Sequence, residues 1–170
     1  MTAYVALLRA VNLGGTGRLP MRDLVTMCER AGFASVRTYI ASGNVVFSSD
    51  ATEAAVKADL EEVLHAYAGK PVAVLVRTVD ELSAVLTDNP FPGAPPSKVM
   101  TLFLDQTPDA KEIETVSGQA NEALKLGTRE LYVHYPEGMG RSTLKVPAAS
   151  YGTARNINTI AKLVAMASEI

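Results

Sequence analysis

Three short stretches of this chain bring together residue types that suit an anionic ligand. The first is Asn12-Leu13-Gly14-Gly15-Thr16-Gly17-Arg18. Glycines let successive backbone N–H groups turn toward a ligand, and such turns form anion-binding concavities. Arg18 adds a full charge, and a helix start behind the loop adds a partial one. The stretch is neither a Walker A loop nor a G-x-G-x-x-G fingerprint, so no nucleotide fold follows from it. The second is Ser42-Gly43-Asn44, which is also what a hairpin turn uses for positive φ. The third is Gly152-Thr153-Ala154-Arg155-Asn156-Ile157-Asn158-Thr159. Read as a helix start, it sets Arg155, Asn158, Thr159 and Lys162 at i, i+3, i+4 and i+7, a polar stripe that suits phosphate or carboxylate oxygens. Arg9 stands apart, a charge inside the apolar run Val5–Val11 that must be paired or emerge near its end.

Other chemistry finds less support. The single cysteine, Cys28, excludes an intramolecular disulfide and falls on an apolar helix face, where it reads as packing. His65 and His134 lack ligand spacing, so no metal site is expected. Asp80-Glu81 are cap residues before they are a catalytic pair. Tyr39, Phe47, Tyr132 and Tyr135 are strand aromatics without the pattern of an RNA-recognition sheet. No cofactor is implied, and no catalytic residue singles itself out.

The elements around these motifs follow from periodicity. Tyr4–Val11 reads as a strand, Pro20 to Ala31 as a helix closed by Gly32, and Ser35–Ile40 with Val45–Ser48 as a hairpin. Thr52 starts a second helix that Gly69 closes, and Pro71–Arg77 is a Val-rich strand. That order, β-α-β-β-α-β, is the ferredoxin-like plait. It places the β1–α1 loop and the β2–β3 turn at one end of the sheet, so Asn12 to Arg18 and Ser42 to Asn44 should be neighbours. Thr78-Val79-Asp80-Glu81 is a capping box. After a proline-rich loop over 88–97, the chain reads strand (Val99–Leu104), helix (from Thr107-Pro108 through Ala120), hairpin (Ala123–Leu126 and Glu130–Tyr135), a short helix within Ser142–Ser150, and a final helix. The expected fold is α+β, with two ferredoxin-like (βαββαβ-type) halves in one compact unit. Residues 1–78 form the first. Residues 79–170 form the second, which lacks its last strand and ends in a helix, with no sequence repeat evident between the halves.

Composition agrees with this. A chain of 170 residues can bury roughly 70% of its unfolded surface without disulfide or metal. A net charge of −2 argues against a general electrostatic nucleic-acid binder but leaves a local patch open. No apolar stretch approaches a membrane span and the N-terminus lacks signal-peptide features, so a cytoplasmic protein without membrane partners is expected.

Together, Leu7–Gly15, Thr38–Phe47 and Thr153–Thr159 resemble, in order, the bacterial family called domain of unknown function 1697. The resemblance implies two ferredoxin-like α/β halves and lends no catalytic residue, because that family has no assigned activity. The chain departs from the family at Ala10 (usually glycine), at Ile157 (often tryptophan) and in Thr16–Arg18, where a lysine is common and Arg18 would have to stand in.

Three readings follow. The first is a site for a small anionic or phosphorylated ligand framed by Arg9, Asn12, Gly14, Gly15, Arg18, Ser42, Gly43, Asn44, Arg155, Asn156 and Asn158. The second is a non-enzymatic module for RNA or protein. In the third, the motifs are structural links between halves. Sequence leaves the oligomeric state open.

Overall fold

The computed structural model describes residues 1–9 and 18–170. They fall into two compact units, Met1–Ser83 with Lys162–Ile170, and Ala84–Ala161. The first contains β1 (Thr2–Leu8), α1 (Met21–Arg30), β2 (Ala34–Thr38), β3 (Asn44–Ser49), α2 (Glu53–Ala68) and β4 (Val74–Thr78). Its sheet is antiparallel, in the order β2-β3-β1-β4.

Alternation along these strands explains the core. Tyr4, Ala6, Leu8, Val45, Phe47, Val74 and Val76 cluster with Leu24, Cys28, Val56, Leu60 and Leu64 from the two helices. Phe33 stacks on Phe47 with ring centroids 4.3 Å apart. The alternate positions Val5, Leu7, Val46 and Leu75 are buried as well. Helix α2 has both expected signals: the Thr52 hydroxyl accepts from Ala55 N, and Gly69 closes the helix at φ 72°. The Thr78–Glu81 capping box forms in both directions, with bonds of 2.9 and 3.1 Å, and opens α3 (Val79–Thr87).

The second unit contains β5 (Val99–Phe103), α4 (Lys111–Glu114), β6 (Ala123–Leu126), β7 (Glu130–His134) and β8 (Thr153–Asn156); α5 (Ile157–Ala167) starts in it and belongs to the first unit from Lys162 on. Its sheet runs β6-β7-β5-β8. Replacing each strand by its counterpart reproduces the first sheet. The α+β architecture with two similar halves is therefore as expected.

Three elements differ from the sequence reading. Thr153–Asn156 is a strand paired with β5, not the first turn of a helix, so the second sheet has its fourth strand. The long helix expected from Thr107 shrinks to one turn, Lys111–Glu114. Its apolar residues Ile113 and Val116 still pack on the core, but the chain then leaves helical geometry to bridge Ser117 to Lys145. Gly118, at φ 68°, brings its backbone so close to the Thr143 carbonyl that a Cβ would sit 2.1 Å from that oxygen. The same bridge keeps Ser142–Val146 extended, and only the 3₁₀ turn Pro147–Ser150 remains of the short helix expected there.

Candidate functional site

The end of the first sheet is fixed by three backbone bonds. Leu8 N–H donates to the Gly43 carbonyl at 2.8 Å, and Arg9 N–H donates to the Ala73 carbonyl at 2.9 Å. Tyr39 N–H donates to the Asn44 carbonyl at 3.0 Å, closing the turn over residues 39–43. Arg9, half-buried, therefore leaves β1 between the hairpin turn and the lead-in to β4. Asn12, Gly14 and Gly15 lie outside the described residues. Arg18 is exposed, just ahead of Pro20 and α1.

The members of Ser42-Gly43-Asn44 differ in role. Asn44 is wholly buried. Its Nδ2 donates to the Tyr39 carbonyl at 2.9 Å and to Ser42 Oγ at 3.0 Å, so its amide braces the turn from inside. Gly43 takes φ 89°, the left-handed region that glycine enters without strain. Ser42 lies at the surface. Ile40, which sequence alone ends a strand with, sits in the same turn at φ 51° and is 51% exposed.

The third motif lies in the second unit and has an internal counterpart. Arg155, on β8, is buried, and its Nη1 donates to Thr153 Oγ1 at 2.6 Å and to the Ala154 carbonyl at 2.9 Å. Burial pulls its guanidinium down to a pKa of about 10. Arg77, on β4, is also buried, and its Nη1 donates to the Val76 carbonyl at 3.0 Å. Arg77 stands opposite Val5, and Arg155 opposite Thr101, at matching positions of the two sheets. A capping residue follows each arginine: Thr78 Oγ1 accepts from Glu81 N at 3.1 Å, and Asn156 Oδ1 accepts from Thr159 N at 2.8 Å. Then come Val79 and Leu82 in one helix, and Ile157 and Ile160 in the other. Arg-Thr-Val-x-x-Leu and Arg-Asn-Ile-x-x-Ile are one junction used twice. Sequence reasoning missed it, although the repeat is visible in the letters once the arginines are aligned. Asn158 is exposed on α5. The helical stripe expected from Arg155 to Lys162 does not exist, because Arg155 belongs to a strand.

Both arginines also close edges. β4 and β8 are edge strands, and backbone groups alternate in direction along a strand. Ala73 points its carbonyl at β1, so Val74 and Val76 point theirs outward. Lys57 Nζ caps the Val74 carbonyl, Glu61 accepts from Val74 N at 2.9 Å, and Arg77 caps Val76. Such covers keep an edge from pairing with another chain.

Cys28 is buried, and desolvation pushes its thiol up to about 12, which removes it as a nucleophile at neutral pH. His134 packs against Phe91 with ring centroids 5.6 Å apart, and His65 is exposed on α2. Among the described residues no group of three His, Cys, Asp or Glu is placed to hold a metal ion, and no helix is long and apolar enough to cross a membrane.

The family model described as protein of unknown function (DUF1697) matches residues 1–132. The chain belongs to the DUF1697 family. The match takes in Arg9, the glycine-rich stretch and the hairpin turn, and stops before Thr153. No protein of curated function matches. A conserved bacterial protein of Streptococcus pneumoniae has a similar structure, with a TM-score of 0.82, 23% identity and 98% of each chain covered. At that identity the likeness is one of fold, and DUF1697 membership brings no named activity.

Proposed function

We propose that the end of the first sheet, at Arg9, Ser42 and Gly43, binds a small anionic or phosphorylated ligand, together with Asn12, Gly14, Gly15 and Arg18 from the stretch that follows Arg9. The observation that carries this is the Leu8 N–H to Gly43 carbonyl bond, which holds the arginine and the Ser-Gly turn side by side. A guanidinium, a surface hydroxyl and glycine-rich backbone supply donors suited to phosphate or carboxylate oxygens. A cytoplasmic setting belongs to the same proposal. Asn44 braces the turn from inside through Tyr39 and Ser42, and in the second unit Arg155 bonds Thr153 and Ala154 while Asn156 caps Thr159. That observation favours the structural reading for these three residues.

The test is thermal unfolding with inorganic phosphate, sugar phosphates and nucleotides, on the native chain and on Arg9→Ala. A ligand at 100 times its Kd stabilises by about 2.7 kcal/mol, which raises Tm by roughly 5–11 °C for a chain of this size. The shift should vanish in Arg9→Ala. No shift with any anion, or an equal shift in the variant, would sink the proposal.

A further inference from the structure

Ile40 is in the wrong conformation for its residue type. A β-branched side chain at positive φ is a backbone outlier, because its γ carbons crowd the neighbouring carbonyl. Glycine or asparagine would occupy φ 51° with less strain. The residue is only partly covered in return, being half exposed. Ser35, the other non-glycine residue at positive φ among those described, lies where the β2–β3 register shifts between Ala34 and Arg37, and such an irregularity accounts for its conformation. Ile40 has no such account. Its turn is closed by Tyr39 and Asn44, and its Gly43 carbonyl is seated on the end of β1 beside Arg9. Strained residues of this kind cluster at ligand sites.

We infer that the ligand of this site is an organic phosphate ester whose apolar body lies against Ile40, with its phosphoryl group on the side of Arg9 and Ser42. This rests on the anion-binding reading and adds the chemistry of the ester group. Inorganic phosphate would reach Arg9 and leave Ile40 in water. An aryl or alkyl ester would contact both.

Phenyl phosphate and inorganic phosphate are the probes, titrated by thermal shift and calorimetry against the native chain, Ile40→Gly and Ile40→Asn. Phenyl phosphate should bind the native chain about tenfold tighter than inorganic phosphate, the gain expected from covering one aliphatic side chain. Ile40→Gly should erase that preference and leave inorganic phosphate binding unchanged. Ligand-free Ile40→Asn should melt roughly 2–4 °C higher than the native chain, because strain is relieved. If both phosphates bind the native chain equally, or if Ile40→Gly keeps the preference, the ester inference fails and the anion site stands. If neither binds, the anion site fails and the inference falls with it.

Discussion

The two units use one sheet plan and differ at its ends. At the end of β1 stands Arg9, and at the matching end of β5 stands Asp105. Leu8 N–H bonds the Gly43 carbonyl in the first, and Leu104 N–H bonds the Arg129 carbonyl at 2.9 Å in the second. The hairpin turn of the first spans residues 39–43 and is braced by buried Asn44. The turn of the second spans residues 127–129 and is followed by Glu130, buried in its turn, whose Oε1 accepts from Arg129 N at 3.1 Å. The ladders match, so the scaffold requires neither the arginine nor the wider turn. Where the second unit has Asp105 at the strand end and Thr128 and Arg129 in a three-residue turn, the first has Arg9 at the strand end and a five-residue turn with a surface serine and an isoleucine at positive φ. Parts that a fold repeats belong to the fold, and parts found in one copy are the candidates for function. That criterion favours a scaffold role for Arg155 and Asn156 and leaves Arg9, Ile40 and Ser42 as the proposed ligand groups.

The sharpest break in the comparison is at Gly152. By register it corresponds to Val74, yet a Cβ on Gly152 would lie 2.6 Å from the Phe103 carbonyl oxygen and 2.8 Å from a Leu104 methyl. Gly152→Ala should cost about 3 kcal/mol, at the upper end of overpacking effects, and lower Tm by roughly 6–12 °C. Val74→Ala instead leaves a small gap and should cost about 1–2 kcal/mol by loss of buried methyl groups. Chemical denaturation of both variants measures the difference. Equal losses would mean that the backbone approach at Gly152 relaxes freely.

The next effect tests the repeat itself. Arg77→Met and Arg155→Met retain most of the side-chain stem and delete the guanidinium that caps a carbonyl of an edge strand. Each should cost about 2 kcal/mol, the value of a charge-assisted bond to a buried acceptor. The two losses should agree within about 0.5 kcal/mol if the junctions are equivalent, a spread set by the scatter of independent sites. A loss at one arginine only would separate the copies.

Most of the first unit was legible because its signals are local. Thr52, Gly69 and the Thr78–Glu81 box each act within four residues, and each was read correctly. The errors lie where a distant strand overrides local pattern. Thr153–Asn156 carries helix-start letters, and its strand state comes from pairing with β5, some fifty positions away. The Lys111–Glu114 helix stops early because Ser117 finds Lys145. Of the candidate site, topology set Asn12–Arg18 beside Ser42–Asn44, and residues 10–17 lie outside those described; the residue found beside the turn is Arg9. The internal use of Asn44 and the backbone of Ile40 did not follow from topology, because neither a donor's direction nor a φ angle is written in residue type.

The smallest effect separates a cap from a ligand group at Asn156. If Asn156 is a cap, Asn156→Ala and Thr78→Ala should cost alike, about 1 kcal/mol each, or roughly 2–4 °C in Tm. Asn156→Asp should retain most of that stability, because a carboxylate accepts from Thr159 N as the amide oxygen does and is favoured by the helix dipole. A ligand group for an anion behaves in the opposite way: the aspartate would repel the anion and abolish binding while the fold kept its stability. Melting Asn156→Asp with and without phosphate therefore decides between the two roles. A phosphate response equal to that of the native chain places Asn156 with Thr78 in the repeated scaffold. A response lost with stability intact returns the third motif to the binding site.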